Sequence, residues 1–290
     1  MERKCYHICN RSFKVLFRDL DDFFMAINKL AVALNRTGDL ILSLTIQSTH
    51  LHFTILSNNP IHFIEVFSIA YTRYFNNKYK NKGRIFFFSY RELKTTNEIL
   101  VATNYTLKNP LHHNITGHPL FYKFSSIRLY FSNLLYGEEY YEDGKDGHFG
   151  KMCSHTQLKP SELSYSEKRK LFGSEQMSDK YIVIDRRVVS LDTIVEVHTV
   201  EVLYKTVRNF LYNMNCQLQE EKGNLYTEID TSFLISNKIS DIDICKFINQ
   251  LIGFPESERT YKMLSDDEIK YIMKYFLNLK VPPLQIKRCL

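Results

Sequence analysis

Several features that define whole classes of protein are missing from this 290-residue chain. It has no tryptophan, and its aromatic residues are 21 phenylalanines and 19 tyrosines. No stretch approaches the roughly 18 consecutive apolar residues that a membrane-spanning helix needs, so we expect no membrane partner. The first seven residues lack the apolar core of a secretory signal peptide, and we expect a cytoplasmic protein.

Cysteine pairs that would indicate a zinc site or a redox motif are also missing. The six cysteines are scattered along the chain, and none of them forms a C-x-x-C pair. This pattern is typical of reduced, buried thiols in a cytoplasmic protein, and it argues against a structural zinc site or a disulfide framework.

The net charge of +6 is unevenly distributed. Residues 1–133 carry 17 Lys and Arg against 8 Asp and Glu, whereas residues 134–290 carry 21 against 24. A basic first half beside a mildly acidic second half indicates two units, of which the first faces a polyanion. A basic surface without such a partner is the alternative.

Hydrophobic periodicity in the first half predicts the order β-α-β-β-α-β-α, with the last helix ending at Pro110. This order predicts an α+β fold, a ferredoxin-like βαββαβ antiparallel sheet with helices on one face. We expect residues 1–135 to form this domain and the Gly- and acid-rich residues 136–160 to be a linker. Residues 161–290 read as an all-helical extension that ends in a candidate helix-turn-helix.

Two histidines flank one apolar residue in residues 45–55, a stretch that reads as β. Alternate residues of a strand point to the same face, so His50 and His52 project together while Leu51 turns into the core. Two adjacent imidazoles can bind a divalent cation with one or two further ligands. The pair is also compatible with a structural role, so the rest of the chain must supply another ligand and a nucleophile.

The last predicted helix of the first half contains a candidate ligand and a candidate nucleophile. Tyr105 and Asn109 are four residues apart and therefore share a helix face. A phenol can attack phosphorus once its proton is removed or its oxygen is polarised by a metal ion, and Asn109 offers a carbonyl oxygen to the same ion. Either residue alone could be structural, but their occurrence with the histidine pair in a compact basic unit favours a site.

These residues resemble those of the single-tyrosine HUH transposases, most closely the REP-associated tyrosine transposase branch. "HUH" denotes histidine, a bulky hydrophobic residue and histidine, which His50-Leu51-His52 match. The tyrosine helix of the family usually ends in Tyr-Ile-x-x-Asn-Pro, and residues 105–110 are similar. Residues 6–12 look like the first strand of the family and residues 70–79 like its second helix, so the resemblance spans roughly residues 4–132.

The resemblance implies cleavage and rejoining of single-stranded or hairpin DNA by a nucleoid-associated transposase. His50, His52 and Asn109 would hold Mg²⁺ or Mn²⁺, and Tyr105 would attack the phosphate to leave a 5′-phosphotyrosine link and a free 3′-OH. The resemblance does not decide between a monomer and a homodimer. Insertion-sequence members share the active site between two subunits, whereas the repeat-associated branch tends to be monomeric.

The sequence departs from the family at two places. Ser48-Thr49 stands where the family usually has Pro-Asn or Pro-Glu before the first histidine. In residues 85–91 the usual Gln and Arg after the aromatic residue are replaced around Phe87-Phe88, which leaves Arg91 to keep the basic role.

Basic residues interleaved with aromatic ones follow the second helix, a pattern suited to phosphate contacts and base stacking. The residues that we expect to contact DNA are Arg73, Lys78, Lys80, Lys82, Arg84 and Arg91. The alternative for any one of them is a solvated surface charge. Alternatives for the whole protein are a catalytically weakened or domesticated protein that binds hairpin repeats, and a metal-binding domain without a nucleic-acid role.

Overall fold

The structure is a computed structural model that describes residues 3–12, 14–113, 115–136, 156–215 and 239–290. Most of the predicted linker, residues 137–155, lies outside the described residues, so the division into domains stays a prediction. None of the helices in the described ranges is both long and apolar enough to cross a membrane.

The first half forms the predicted α+β unit. Its elements are β1 (Lys4–Arg11), α1 (Leu20–Thr37), β2 (Leu40–Ile46), β3 (Leu51–Ser57), α2 (Pro60–Lys78), β4 (Phe87–Leu93) and α3 (Thr96–His112). The strands lie in the order β2-β3-β1-β4, and all three pairings are antiparallel. This is the ferredoxin-like order that the sequence predicted, with the histidine strand β3 in a central position.

Local sequence explains where these helices begin and end. The Asp19 side chain accepts a hydrogen bond from the backbone N–H of Asp22 at the start of α1, and Gly38 ends α1 at a φ of 71°. Thr95 and Glu98 form a capping box at the start of α3. We expected Pro110 to end α3, but the helix continues to His112, because a proline in the last turn removes a single N–H donor.

The two faces of the sheet differ in polarity. On one face apolar residues pack against α1 and α2, as Phe53 does against Phe63 with ring centroids 5.6 Å apart. The other face is polar: Ser43 and Thr54 share a hydrogen bond of 2.6 Å across β2 and β3. Helix α3 crosses this polar face in contact with β2 and β3, so α1 and α2 occupy one face as predicted and α3 covers the other.

The second half is mainly helical, as predicted, but it also contains a small sheet. Its longer helices are α4 (Tyr165–Phe172), α5 (Val197–Tyr204), α6 (Val207–Asn215), α7 (Asp241–Ile252), α8 (Asp266–Asn278) and α9 (Pro283–Cys289). Three two-residue strands, β5 (Gln157–Leu158), β6 (Val183–Ile184) and β7 (Val188–Val189), pair in that order. Hydrophobic residues of both halves belong to one continuous core.

The second half covers the outer surfaces of α1 and α3. Every residue of α1 from 22 to 34 is buried, because the sheet lies on one side and α4 and β7 lie on the other. The buried Lys108 of α3 donates to the backbone oxygen of Asn213 in α6 at 3.0 Å. Helix α3 is therefore held between the polar face of the sheet and the second half.

The last three helices pack beside the turn between β2 and β3. Ser48 Oγ donates to Asp241 Oδ2 at 2.6 Å, and the Arg288 guanidinium lies 2.8 Å from Asp241 Oδ1. Helices α8 and α9 are at the positions of the expected helix-turn-helix. Since Arg288 is paired inside the protein, Lys287 is the basic residue that α9 exposes near its end.

Lys78 connects the start of α1 to the end of α2. Its Nζ lies 2.7 Å from Asp19 Oδ2 and 2.8 Å from Asp22 Oδ1, and the Asp22 side chain is fully buried. The hydroxyls of Tyr74 and Tyr79 also donate to Asp22. Asp22 is a buried anion that Lys78 neutralises, so this lysine has a structural task.

Replacing Lys78 by methionine should lower the free energy of unfolding by about 3 to 5 kcal/mol, because Asp22 would remain as an uncompensated buried charge. Urea denaturation of full-length Lys78→Met measures this loss. The control, Lys82→Met, changes an exposed lysine of the same region and should stay within about 0.5 kcal/mol of the parent protein. Equal effects of the two substitutions would contradict the structural role of Lys78.

Candidate active site

The candidate site lies where α3 crosses the start of β3. The turn between β2 and β3 leads into His50, and the backbone N–H of Leu51 donates to Asn10 Oδ1 at 2.7 Å, which ties β3 to the end of β1. The alternation of β3 places His52 on the polar face, under α3. The site is thus built on the two central strands of the sheet and one helix.

Asn109 joins α3 to the first histidine. Its Oδ1 lies 3.0 Å from His50 Nε2 and accepts a hydrogen bond of 2.5 Å from Gln47 Nε2. Thr49 Oγ1 lies 2.8 Å from His50 Nδ1, on the other side of the ring. Both ring nitrogens of His50 therefore have defined neighbours, and the predicted neighbourhood of His50 and Asn109 is present.

His52 lies beside Tyr105, which is one turn before Asn109 on α3. The rings of His52 and Tyr105 are 5.4 Å apart at 74°. His7 of β1 lies beside both, with its Nε2 3.3 Å from His52 Nδ1 and its ring 5.8 Å from that of Tyr105. The four residues singled out from the sequence, His50, His52, Tyr105 and Asn109, thus come together in one chain.

Three further histidines belong to this cluster and were not predicted as site residues. His7 belonged to the predicted first strand, but its contact with β3 depends on a pairing between distant strands. The ring centroids of His113 and His50 are 4.8 Å apart, and those of His112 and Tyr105 are 5.0 Å apart. Their spacing from Asn109 and Tyr105, four and seven residues, would have indicated them if the helix had been extended past Pro110.

Burial lowers the pKa values of His7, His50 and His52 and so keeps these three imidazoles uncharged. It lowers the pKa of His7 to about 4, with a smaller contribution from the positive charge of Arg91. Burial and the neighbouring His113 lower the pKa of His50 to about 3. Burial and the surrounding imidazoles also hold the pKa of His52 well below its ordinary value. Uncharged imidazole is the form that binds metal ions.

Tyr105 is half-buried beside these rings, and burial raises the pKa of its phenol to about 12. It is therefore protonated at neutral pH. To act as a nucleophile, the phenol must pass its proton to a base as it attacks.

The donor atoms fit a divalent cation bound by two histidines and an amide. Within the described ranges no group of three or more His, Cys, Asp or Glu is arranged to hold a metal ion, so a site here depends on Asn109 as the third ligand. Neighbouring ligands about 2.1 Å from an octahedral ion lie about 3 Å apart. His50 Nε2 and Asn109 Oδ1 are joined by a hydrogen bond of 3.0 Å, so the two atoms already have this separation.

The expected DNA contacts divide into three groups. Arg91 is exposed on the edge strand β4. It lies opposite His7 in the register of β1 and β4, so its side chain is at the edge of the polar face. The exposed residues Lys80, Lys82 and Arg84 lie in the connection from α2 to β4, at the end of the sheet where β3 begins. The third group, Arg73 and Lys78, is set apart from the site.

Arg73 is exposed on α2, which covers the face of the sheet opposite Tyr105. Lys78 is paired with Asp19 and Asp22, so its charge has partners inside the protein, and its contact with DNA stays a prediction. The antiparallel packing of α1 and α2 brings these charges together, and the sequence pattern alone did not show it. The Arg84 guanidinium lies 5.2 Å from the ring centre of Phe87, so the substituted Phe87 and this cation form one exposed pair.

Comparisons with known proteins give little support for any particular function. No family model matches the sequence, and no curated protein is significantly similar to it. Among solved structures, the chain is similar to a REP-associated tyrosine transposase bound to a REP hairpin, with a TM-score of 0.40 and 13% identity. The likeness covers 47% of this chain and 84% of that chain. At this level of similarity it carries no argument about function.

The lowered histidine pKa values predict that acid destabilises the fold. A histidine with a lower pKa in the folded state than in the unfolded state binds fewer protons when folded. Its stabilisation is therefore complete above about pH 6.5 and is lost as the pH falls through about 4 for His7 and about 3 for His50.

Urea denaturation at about pH 7.5 and about pH 5 should give a lower free energy of unfolding at the acidic value. The matched variant His7→Gln removes one of these groups, and its stability should differ less between the two pH values. An equal difference in His7→Gln would show that His7 is not buried in its uncharged form.

Proposed function

We propose that this protein is a transposase-type single-stranded DNA endonuclease and strand transferase that acts through a 5′-phosphotyrosine intermediate. One observation carries the proposal: a tyrosine, two histidines and an asparagine converge where α3 crosses β3. A phenol beside uncharged imidazoles and an amide oxygen is suited to attack on a phosphodiester. The resemblance of the sequence to single-tyrosine HUH transposases supports the same chemistry.

Tyr105 is the proposed nucleophile. Its oxygen forms a bond to phosphorus while the bond from phosphorus to the 3′ oxygen of the preceding nucleotide breaks. The phenol proton passes to a base, and the His112 imidazole, whose ring centroid lies 5.0 Å from that of Tyr105, is the proposed base. The departing 3′ oxygen takes up a proton and leaves as a hydroxyl. The reverse reaction with the same or another 3′-OH rejoins DNA.

His50, His52 and Asn109 are the proposed ligands of Mg²⁺ or Mn²⁺. When bound, such an ion supplies polarisation of the phosphoryl oxygens and offsets the charge that develops on them. The chain itself contributes orientation: Gln47 fixes the Asn109 amide, and Thr49 fixes the His50 ring. All these groups come from one chain, so a single copy supplies the whole constellation.

The exposed basic residues nearest the site are the proposed DNA contacts. Arg91 at the edge of the polar face would guide the scissile phosphate, and Lys80, Lys82 and Arg84 would follow the strand beyond the end of the sheet. Phosphate neutralisation by Lys and Arg gives affinity without sequence information. The exposed Phe87, beside Arg84, adds a ring on which a base can stack.

Tyr105→Phe should abolish the covalent adduct between the protein and a single-stranded hairpin oligonucleotide in Mn²⁺, because the variant lacks the attacking oxygen. Binding of the oligonucleotide should be retained. Denaturing gel electrophoresis with a labelled oligonucleotide measures the adduct. Tyr165→Phe, an exposed tyrosine of the second half, is the control and should form it normally. DNA binding without any adduct in the parent protein would instead support a non-cleaving hairpin-binding protein.

Arg91→Ala should weaken binding of single-stranded DNA and reduce the slope of log affinity against log salt by about 0.7, the value for one lost phosphate contact. Fluorescence anisotropy at several salt concentrations gives both quantities. Lys170→Ala changes an exposed lysine on α4, which packs on α1 away from the site, and should leave the slope unchanged. Equal slopes for the parent and Arg91→Ala would remove Arg91 from the interface.

A further inference from the structure

His7 is fully buried on β1, and the plane of its ring is nearly parallel to that of the His52 ring. The two rings are 5.4 Å apart with 17° between their planes, and His7 Nε2 lies 3.3 Å from His52 Nδ1. Two imidazole nitrogens at this distance form one hydrogen bond, in which one nitrogen carries the proton and the other accepts. Either His52 Nδ1–H donates to His7, or His7 Nε2–H donates to His52.

The two arrangements have different consequences for His52. If His52 receives the proton at Nδ1, its own hydrogen is on Nε2, and that nitrogen cannot bind a metal ion. If His52 donates from Nδ1, its Nε2 carries a lone pair. Only the second arrangement makes His52 a ligand.

His50 has a hydrogen-bond partner at each of its two nitrogens. The amide oxygen of Asn109 can only accept, so the 3.0 Å contact makes His50 Nε2–H the donor, and His50 Nδ1 accepts from the Thr49 hydroxyl at 2.8 Å. A cation held by His50 Nε2 and Asn109 Oδ1 would replace this hydrogen bond, and the Nε2 proton would move to Nδ1, where Thr49 Oγ1 can accept it instead.

We infer that His7 is a positioning residue that accepts the Nδ1–H of His52 and so holds His52 in the tautomer whose Nε2 can bind a divalent cation. The inference rests on the proposed function. Metal-binding histidines commonly donate their second N–H to a neighbouring acceptor, which fixes the ring and its tautomer. An uncharged imidazole accepts this bond without placing a buried anion where a DNA phosphate must approach.

The tautomer of His52 can be observed without any metal. In full-length protein with ¹⁵N-labelled histidine, long-range ¹H–¹⁵N correlation spectra distinguish the two tautomers, and His52→Gln assigns the signal. We expect Nδ1–H on His52 in the parent protein and in His7→Gln, whose side-chain oxygen can accept the bond. We expect a shift toward Nε2–H in His7→Leu. Nε2–H on His52 in the parent protein, or an unchanged Nδ1–H in His7→Leu, overturns the inference.

Binding of Mn²⁺, followed by isothermal titration calorimetry, separates this inference from the proposed function. His7→Leu should bind roughly 10- to 100-fold more weakly than the parent, and His7→Gln should recover most of the affinity. His62→Leu, an exposed histidine on α2, is the control and should bind normally. Thermal unfolding of each variant checks that it is folded.

The outcomes of the two experiments are distinct. If the parent protein binds Mn²⁺ and His7→Leu binds it equally well, the inference is overturned and the proposed function stands. If His52 has the expected tautomer, controlled by His7, but the parent protein binds no Mn²⁺ and forms no DNA adduct, the proposed function fails. The role of His7 in setting the tautomer is then supported on its own.

Discussion

The hydrogen bonds at Asn109 Oδ1 are the contacts on which the geometry of the site depends. They attach the end of α3 to the turn before β3, through Gln47, and to His50 itself. Tyr105 lies four residues earlier on the same helix, about 6 Å along its axis. Fixing Asn109 therefore also fixes the tyrosine relative to both histidines, and a single helix carries the proposed nucleophile and the proposed third ligand.

The second half of the chain contributes by holding these elements in place. Helix α6 binds the outer side of α3 through Lys108 and Asn104, and Asp241 accepts a hydrogen bond from Ser48, two residues before His50. Ser48 occupies one of the positions where the sequence departs from the pattern of the transposases that it resembles. In this chain the turn before the histidines is thus stabilised by the last three helices, which gives the second half a structural connection to the site.

Short-range periodicity predicted a large part of this arrangement. The two-residue period placed His50 and His52 on one face, and the four-residue spacing placed Tyr105 and Asn109 on one side of a helix. The missing parts depend on long-range packing. The contact of His7 with His52 needs the register between β1 and β3, and the ion pairs of Lys78 need α1 and α2 side by side. His112 and His113 were missed because Pro110 was expected to end the helix.

The central claim is that Tyr105 becomes covalently attached to the 5′ phosphate of cleaved DNA. Tandem mass spectrometry of the protease-digested adduct between the full-length protein and a single-stranded hairpin oligonucleotide tests it most directly, since it identifies the modified residue among 19 tyrosines. We predict a 5′-phosphonucleotide on the peptide that contains Tyr105 and no other. A nucleotide on another tyrosine, or cleaved DNA without any attached peptide, would contradict the account.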